Sequence, residues 1–177
     1  MIEVNAVCAA LIALTIPRAD VACSYVPEIL ERAASHNIRP TVMLSLMHEE
    51  SRFRPDAVSK AGACGMTQVL PRYTKNPKLS CRALLDPTIS IEAGTKALSR
   101  WYNSRYAKRD YRVALCAYNA GYRCKKGQQL YSKKGAGYAR RVLRRADALK
   151  RKINYYLVQA EADLLHPTLN SCKTIIE

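Results

Sequence analysis

The chain has 177 residues, enough for one compact domain, and its 49% apolar against 24% charged residues exclude an intrinsically disordered polymer. Its 29 Lys and Arg against 14 Asp and Glu leave a formal charge of +15, which excludes a neutral surface and draws the protein to a polyanion. Charge alone leaves nucleic acid and the anionic polymers of a bacterial envelope both open.

In chain order, the first feature is a nearly continuous apolar stretch from Val4 to Ile16, followed by Pro17, Arg18 and Ala22. It is shorter than the roughly twenty residues of a membrane span and resembles a secretory leader, giving a boundary at 1–22. Met1-Ile2-Glu3 lacks the usual basic start and Asp20 sits near the Ala22/Cys23 junction, so a first helix packed on the core is the competing reading.

Helical patterning fills most of the rest. Pro27 opens a segment to about Ser35 with Ile29, Leu30 and Ala33 on one face, and Pro40 opens another to about Ser51. An irregular stretch from Arg52 to Leu85 follows, carrying Pro55, Gly62, Gly65, Pro71 and Pro77; loops of this length carry function or a short ribbon of strand. Asp86 caps a helix that starts at Pro87, with apolar residues at Ile89, Ile91, Ala93, Ala97, Leu98 and Trp101. Another helix runs from about Tyr111 to Ala120 and stops at Gly121, and a last one begins near Gly137 and continues through Val142, Leu143, Ala146, Leu149 and Ile153. The predicted class is mainly α, with a domain over 23–157 and a tail over 158–177.

Seven cysteines in so short a chain favour disulfides and an oxidising compartment over a zinc site, because none shows paired close spacing. Setting Cys8 aside with the leader leaves Cys23, Cys64, Cys81, Cys116, Cys124 and Cys172. Six cysteines allow about fifteen pairings; Cys64 with Cys81 and Cys116 with Cys124 are favoured because each closes a short local loop, and Cys172 is expected to tie down the tail.

The chemistry gathers at His48-Glu49-Glu50-Ser51. Met43, Leu46, Met47 and Glu50 fall at i, i+3, i+4 and i+7, which puts Glu50 on an apolar stripe at a helix end. Burial and the negative end of the helix dipole both disfavour a carboxylate there and raise its pKa, which suits a general acid. Glu49 also has apolar neighbours at Val42 and Leu46, so spacing alone does not decide between the two.

From Glu50 to Ser59 the sequence resembles the catalytic stretch of lytic transglycosylases with the goose-type lysozyme-like fold. The segment from Gly62 to Pro71 resembles that family's Gly-x-x-Gly-x-x-Gln motif. The run Leu84-Leu85-Asp86-Pro87 to Gly94 is similar to its next helix start, Ala117-Tyr118-Asn119-Ala120-Gly121 to its Ala-Tyr-Asn-Ala-Gly signature, and Gly137-Tyr138 to its last motif. The resemblance implies a lysozyme-like α-helical domain, Glu50 as the single catalytic acid, Ser59 and Gln68 as sugar contacts, Tyr118 and Asn119 as cleft walls, and Tyr138 as the tyrosine that holds the catalytic carboxyl. It further implies cleavage of the MurNAc-GlcNAc bond of peptidoglycan, with no metal or cofactor. Departures are Met66-Thr67 before the Gln, Leu70 after it, Arg54 where Asn is common, and Tyr122-Arg123-Cys124 where Pro-Gly is usual.

A monomer acting on glycan strands, secreted, periplasmic or delivered by a phage, is the expectation, with a secretion, conjugation or phage assembly as a further partner. A lysozyme hydrolysing the same bond is the alternative enzyme. A basic wall- or nucleic-acid-binding protein is the alternative outside enzymes, resting on Arg140, Arg141, Arg144, Arg145 and Lys150 to Lys152; helical spacing of such charges reads as a solvated or wall-attached face rather than specific nucleic-acid recognition. His36, His48 and His166 share no spacing suggestive of a site and are expected at the surface or at helix caps.

Overall fold

In the computed structural model, residues 4–75, 77–126, 129–130 and 132–165 are described. Eight helices dominate them: α1 (Val4–Ala13), α2 (Ala19–Ser24), α3 (Val26–Ser35), α4 (Pro40–Ser51), α5 (Cys81–Leu84), α6 (Pro87–Tyr102), α7 (Tyr111–Ala120) and α8 (Lys133–Leu165). A two-stranded antiparallel ribbon, β1 (Lys125–Lys126) and β2 (Gln129–Leu130), lies between α7 and α8, with Lys125 opposite Leu130.

Local chemistry accounts for the helix ends. Pro27 and Pro40 occupy first-turn positions of α3 and α4, where the missing N–H costs nothing. Asp86 accepts a hydrogen bond from the Ile89 N–H at 3.0 Å and Asp110 from the Arg112 N–H at 2.7 Å, capping α6 and α7. Gly121, at φ 61°, ends α7.

The centre of the molecule is α4, in which every residue from Thr41 to Met47 is buried. A helix apolar nearly all round has to be covered on all sides. Helices α3 and α8 pack on α4, and α8 also packs along α7 and α1. In α8 the buried apolar side chains include Tyr138, Ala139, Val142, Ala146, Leu149 and Ile153, which is helical spacing for one face. Beyond Ile153 the helix runs on with Tyr155 and Val158 exposed. It is thus longer at both ends than a start near Gly137 predicts.

The apolar stretch read as a leader forms α1, with Ala6, Val7, Ala10 and Leu11 buried against the core. Apolarity over ten residues does not separate a buried helix from the core of a leader. One expectation is corrected: Cys8, set aside with the leader, is disulfide-bonded to Cys23, which is therefore not free for Cys172. The α1–α2 turn brings their Cα atoms to 5.4 Å, a normal bridging distance. Cys64 is bonded to Cys81 and Cys116 to Cys124. Cys172, His166 and the tail beyond Leu165 lie outside the described residues.

The stretch 52–85 carries isolated antiparallel bridges, Val58 to Cys64 and Cys64 to Val69, over a small core of Cys64, Val69 and Leu84. This is the small β element expected after α4.

Candidate active site

Glu50 stands in the last turn of α4. The helix stops because Arg52 turns left-handed at φ 53° and Phe53 follows at φ 59°, with the Phe53 ring fully buried. Ser51 then ties the helix end to the 52–85 stretch by donating its hydroxyl to the Met66 carbonyl at 2.8 Å. That stretch is folded back by the Gly65 N–H donating to Ala57 O at 2.8 Å and by the Gln68 amide donating to Ala57 O and Gly65 O at 2.9 and 3.0 Å. Thr67, fully buried, donates its hydroxyl to Ser90 O at 2.8 Å and packs where Gly94 leaves room. The departure Thr67 is thus a packing residue against α6.

The two adjacent acids are separated by their partners. Glu49 forms ion pairs with Arg141 (Nε to Oε1, 2.6 Å) and Arg145 (Nη1 to Oε2, 3.3 Å), both from α8. Glu50 instead accepts a 2.6 Å hydrogen bond from the Tyr138 hydroxyl. Burial pushes its pKa up to about 7, the Tyr138 hydrogen bond works in the opposite direction, and the Glu49 charge adds to the rise. Burial also holds the Tyr118 and Tyr138 hydroxyls well above their ordinary range, so both remain neutral donors. Tyr118, from α7, donates to the Thr67 carbonyl at 2.8 Å.

Two cavities meet these groups. One, of ≈ 400 Å³, is lined by Pro17, Arg18, Glu49, Glu50, Ser51, Arg52 and Arg54. A larger groove of ≈ 650 Å³ contains Gln68, Tyr118 and Asn119, and is walled by Trp101, Tyr73 and Tyr122. Of the residues expected at the site, Glu50 and Tyr138 are joined by a hydrogen bond, and Gln68, Tyr118 and Asn119 share the groove. Ser59 lines neither cavity; its hydroxyl oxygen accepts the Ala63 N–H at 3.0 Å and closes a turn. The carboxylate lining these cavities besides Glu50 is Glu49, which the two arginines already hold.

Sequence reasoning missed several contributors. Arg141 and Arg145 belong to the run read as a solvated basic face, yet they lie at i+3 and i+7 from Tyr138, spacing that could have placed them beside Glu49. Pro17 and Arg18 come from the 1–22 segment. His48 is corrected as well: both ring nitrogens are buried with no hydrogen-bond partner among the described residues, and burial pushes its pKa down to about 4, so it is neutral. His36 pairs with Glu92 at 3.1 Å.

Comparison with known proteins gives a family match and a likeness in fold. The profile described as Transglycosylase SLT domain matches residues 28–140. Membrane-bound lytic murein transglycosylase C of Haemophilus influenzae (strain PittEE) is 36% identical over 83 residues, covering 42% of this chain and 23% of that protein. The protein of the same name from Yersinia pestis (strain Pestoides F) is 31% identical over 112 residues, covering 55% of this chain and 31% of that protein. The chain therefore spans less than a third of the length of these relatives. A solved structure of an inactive mutant of the lytic transglycosylase Slt from Pseudomonas aeruginosa superposes with a TM-score of 0.62 at 23% identity, covering 71% of this chain and 24% of that one, a likeness in fold. No helix among the described residues is long and apolar enough to cross a membrane.

Proposed function

The chain belongs to the Transglycosylase SLT domain family, and on that premise we propose that it is a lytic transglycosylase that cuts the MurNAc-GlcNAc bond of peptidoglycan with Glu50 as its one acid and base. The observation that carries this reading is the Glu50 carboxyl, buried, raised to about 7 and held by the Tyr138 hydroxyl. A carboxyl of that pKa is substantially protonated at neutral pH and is as ready to take a proton back. Glycosidases with two carboxylates need the second as nucleophile or base. Here Glu49, the neighbouring acid, is neutralised by Arg141 and Arg145.

Glu50 protonates the bridging oxygen, and the C1–O bond breaks as positive charge develops on the muramyl ring, stabilised by the substrate's own N-acetyl group. As a carboxylate, Glu50 then removes the proton of the muramyl C6 hydroxyl, whose oxygen bonds to C1. The product is a 1,6-anhydro end, and water takes no part. Digestion of purified peptidoglycan followed by mass analysis tests this directly. Fragments lighter by one water than hydrolysis products are expected; reducing ends would instead make the protein a lysozyme.

Replacing Tyr138 by Phe should lower kcat about tenfold to a hundredfold by freeing the carboxyl. The lost hydrogen bond favours the charged form, so the Glu50 pKa should rise further and the alkaline limb of the rate profile should move to higher pH. A slower enzyme with an unmoved alkaline limb would refute the holding role.

Three disulfides fit action in an oxidising compartment, secreted or periplasmic. The +15 charge fits retention on an anionic envelope.

A further inference from the structure

Four residues past Tyr118, the chain departs from the family pattern it otherwise resembles, with Tyr122-Arg123-Cys124 in the turn after Gly121. This turn is built to hold one aromatic ring in place. Cys124 is fully buried and bonded to Cys116 of α7. The Tyr122 carbonyl accepts the Tyr106 hydroxyl at 3.0 Å, and that hydroxyl in turn accepts the Lys125 N–H at 2.6 Å. The Tyr122 ring rests against Trp101 and Tyr106, with ring centres 5.0 and 5.4 Å away and planes 72° and 84° apart.

A ring packed this way would ordinarily be the edge of a satellite core. Trp101 and Tyr106 are indeed partly buried. Tyr122, however, is 75% exposed, so its support yields little burial. A large apolar ring fixed rigidly in water is the arrangement expected of a recognition surface, because its ordering cost is met before the ligand arrives. The ring walls the same ≈ 650 Å³ groove that contains Gln68, Tyr118 and Asn119. Arg100 and Arg123 line it too. A saccharide ring offers an apolar C–H face for an aromatic and hydroxyl and amide edges for Gln68 and Asn119, and the carboxylates of its stem peptides complement the arginines.

We propose that Tyr122 is a sugar-stacking platform, pinned by the Cys116–Cys124 bridge, that binds a saccharide of the glycan strand away from the bond cut at Glu50. This rests on the peptidoglycan reading above and makes the protein selective for strand length. The test uses peptide-bearing glycan strands fractionated by length and full-length protein carrying Glu50→Gln, so that binding is read without cleavage. Adding Tyr122→Ala should weaken binding of long strands about tenfold, with a loss that shrinks toward the shortest fragments, and Tyr122→Phe should restore it. An affinity unchanged by Tyr122→Ala, or weakened equally at every length, overturns the platform. Failure of the active enzyme to cut any strand counts against the enzymatic reading instead, because strand binding is scored separately. Circular dichroism and melting of each variant separate lost binding from lost fold; the exposure of Tyr122 predicts an unchanged melt.

Discussion

Glu50→Gln should reduce peptidoglycan cleavage at least about a thousandfold, within the range that loss of general acid-base catalysis commonly costs, while making the protein more stable at alkaline pH. The amide keeps the shape of the side chain, and its oxygen can still accept the Tyr138 hydroxyl hydrogen bond. It cannot ionise. In the wild type the folded pKa of about 7 lies above the ordinary value of 4.5, because burial penalises the carboxylate. Native protein therefore holds the proton more tightly than unfolded chain does, and the wild type loses stability as pH rises from about 4.5 through 7. The loss amounts to about 2–3 kcal/mol once partial solvent contact is allowed for. Denaturant melts at pH 4.5 and pH 8 should thus show little difference between variant and wild type at the lower pH and a more stable variant at the higher. Equal melts at both values would mean that the carboxyl is not desolvated, and the proposed acid would lose its physical basis.

The second large effect is structural. Gly65 has φ 76°, and a Cβ there would overlap the Leu84 carbonyl oxygen and come within 2.6 Å of Ser90 Oγ. Its own N–H and carbonyl are both engaged, with Ala57 and the Gln68 amide. Gly65→Ala should accordingly cost about 3–5 kcal/mol, because backbone rather than a flexible side chain has to give way. Gly62 is the internal control: its φ is 80°, yet nothing lies within 4 Å of an added Cβ. Gly62→Ala then carries the left-handed strain alone, about 1 kcal/mol. Urea midpoints of the two variants measure the difference, and similar midpoints would mean that the 62–71 segment is not clamped between α4 and α6. Gly65→Ala should also disturb Gln68 and, through Met66 O, the Ser51 hydroxyl beside Glu50.

Much of this was legible from local signals. Pro40 marks the start of α4, Asp86 and Asp110 are caps, and Gly121 is a stop; each is read from one or two residues. Cys64–Cys81 and Cys116–Cys124 span 17 and 8 residues and are similarly local. The choice between Glu49 and Glu50 was not legible from spacing, because it depends on α8, whose Tyr138 and Arg141 stand 88 and 92 residues away from their partners. Periodicity describes a helix's own faces and is blind to which neighbour covers them. The same blindness left the 4–16 run open between a leader and a buried helix, which it suits alike, and with it hid the Cys8–Cys23 bridge. Ser59 is named by a motif match alone; its hydroxyl oxygen accepts the Ala63 N–H within its own turn, which leaves the hydroxyl proton to donate.

The stretch matched by the family profile, 28–140, is smaller than the unit that folds around the acid. Pro17 and Arg18 stand outside it on one side, and Arg141 and Arg145 on the other. A fragment trimmed to the recognisable segment would uncover the α8-facing side of the core and strand Glu49 without a counter-charge next to Glu50, so it should be a poor donor of domains for fusion or engineering. The recognisable segment and the set of residues that surround Glu49 and Glu50 thus have different borders here.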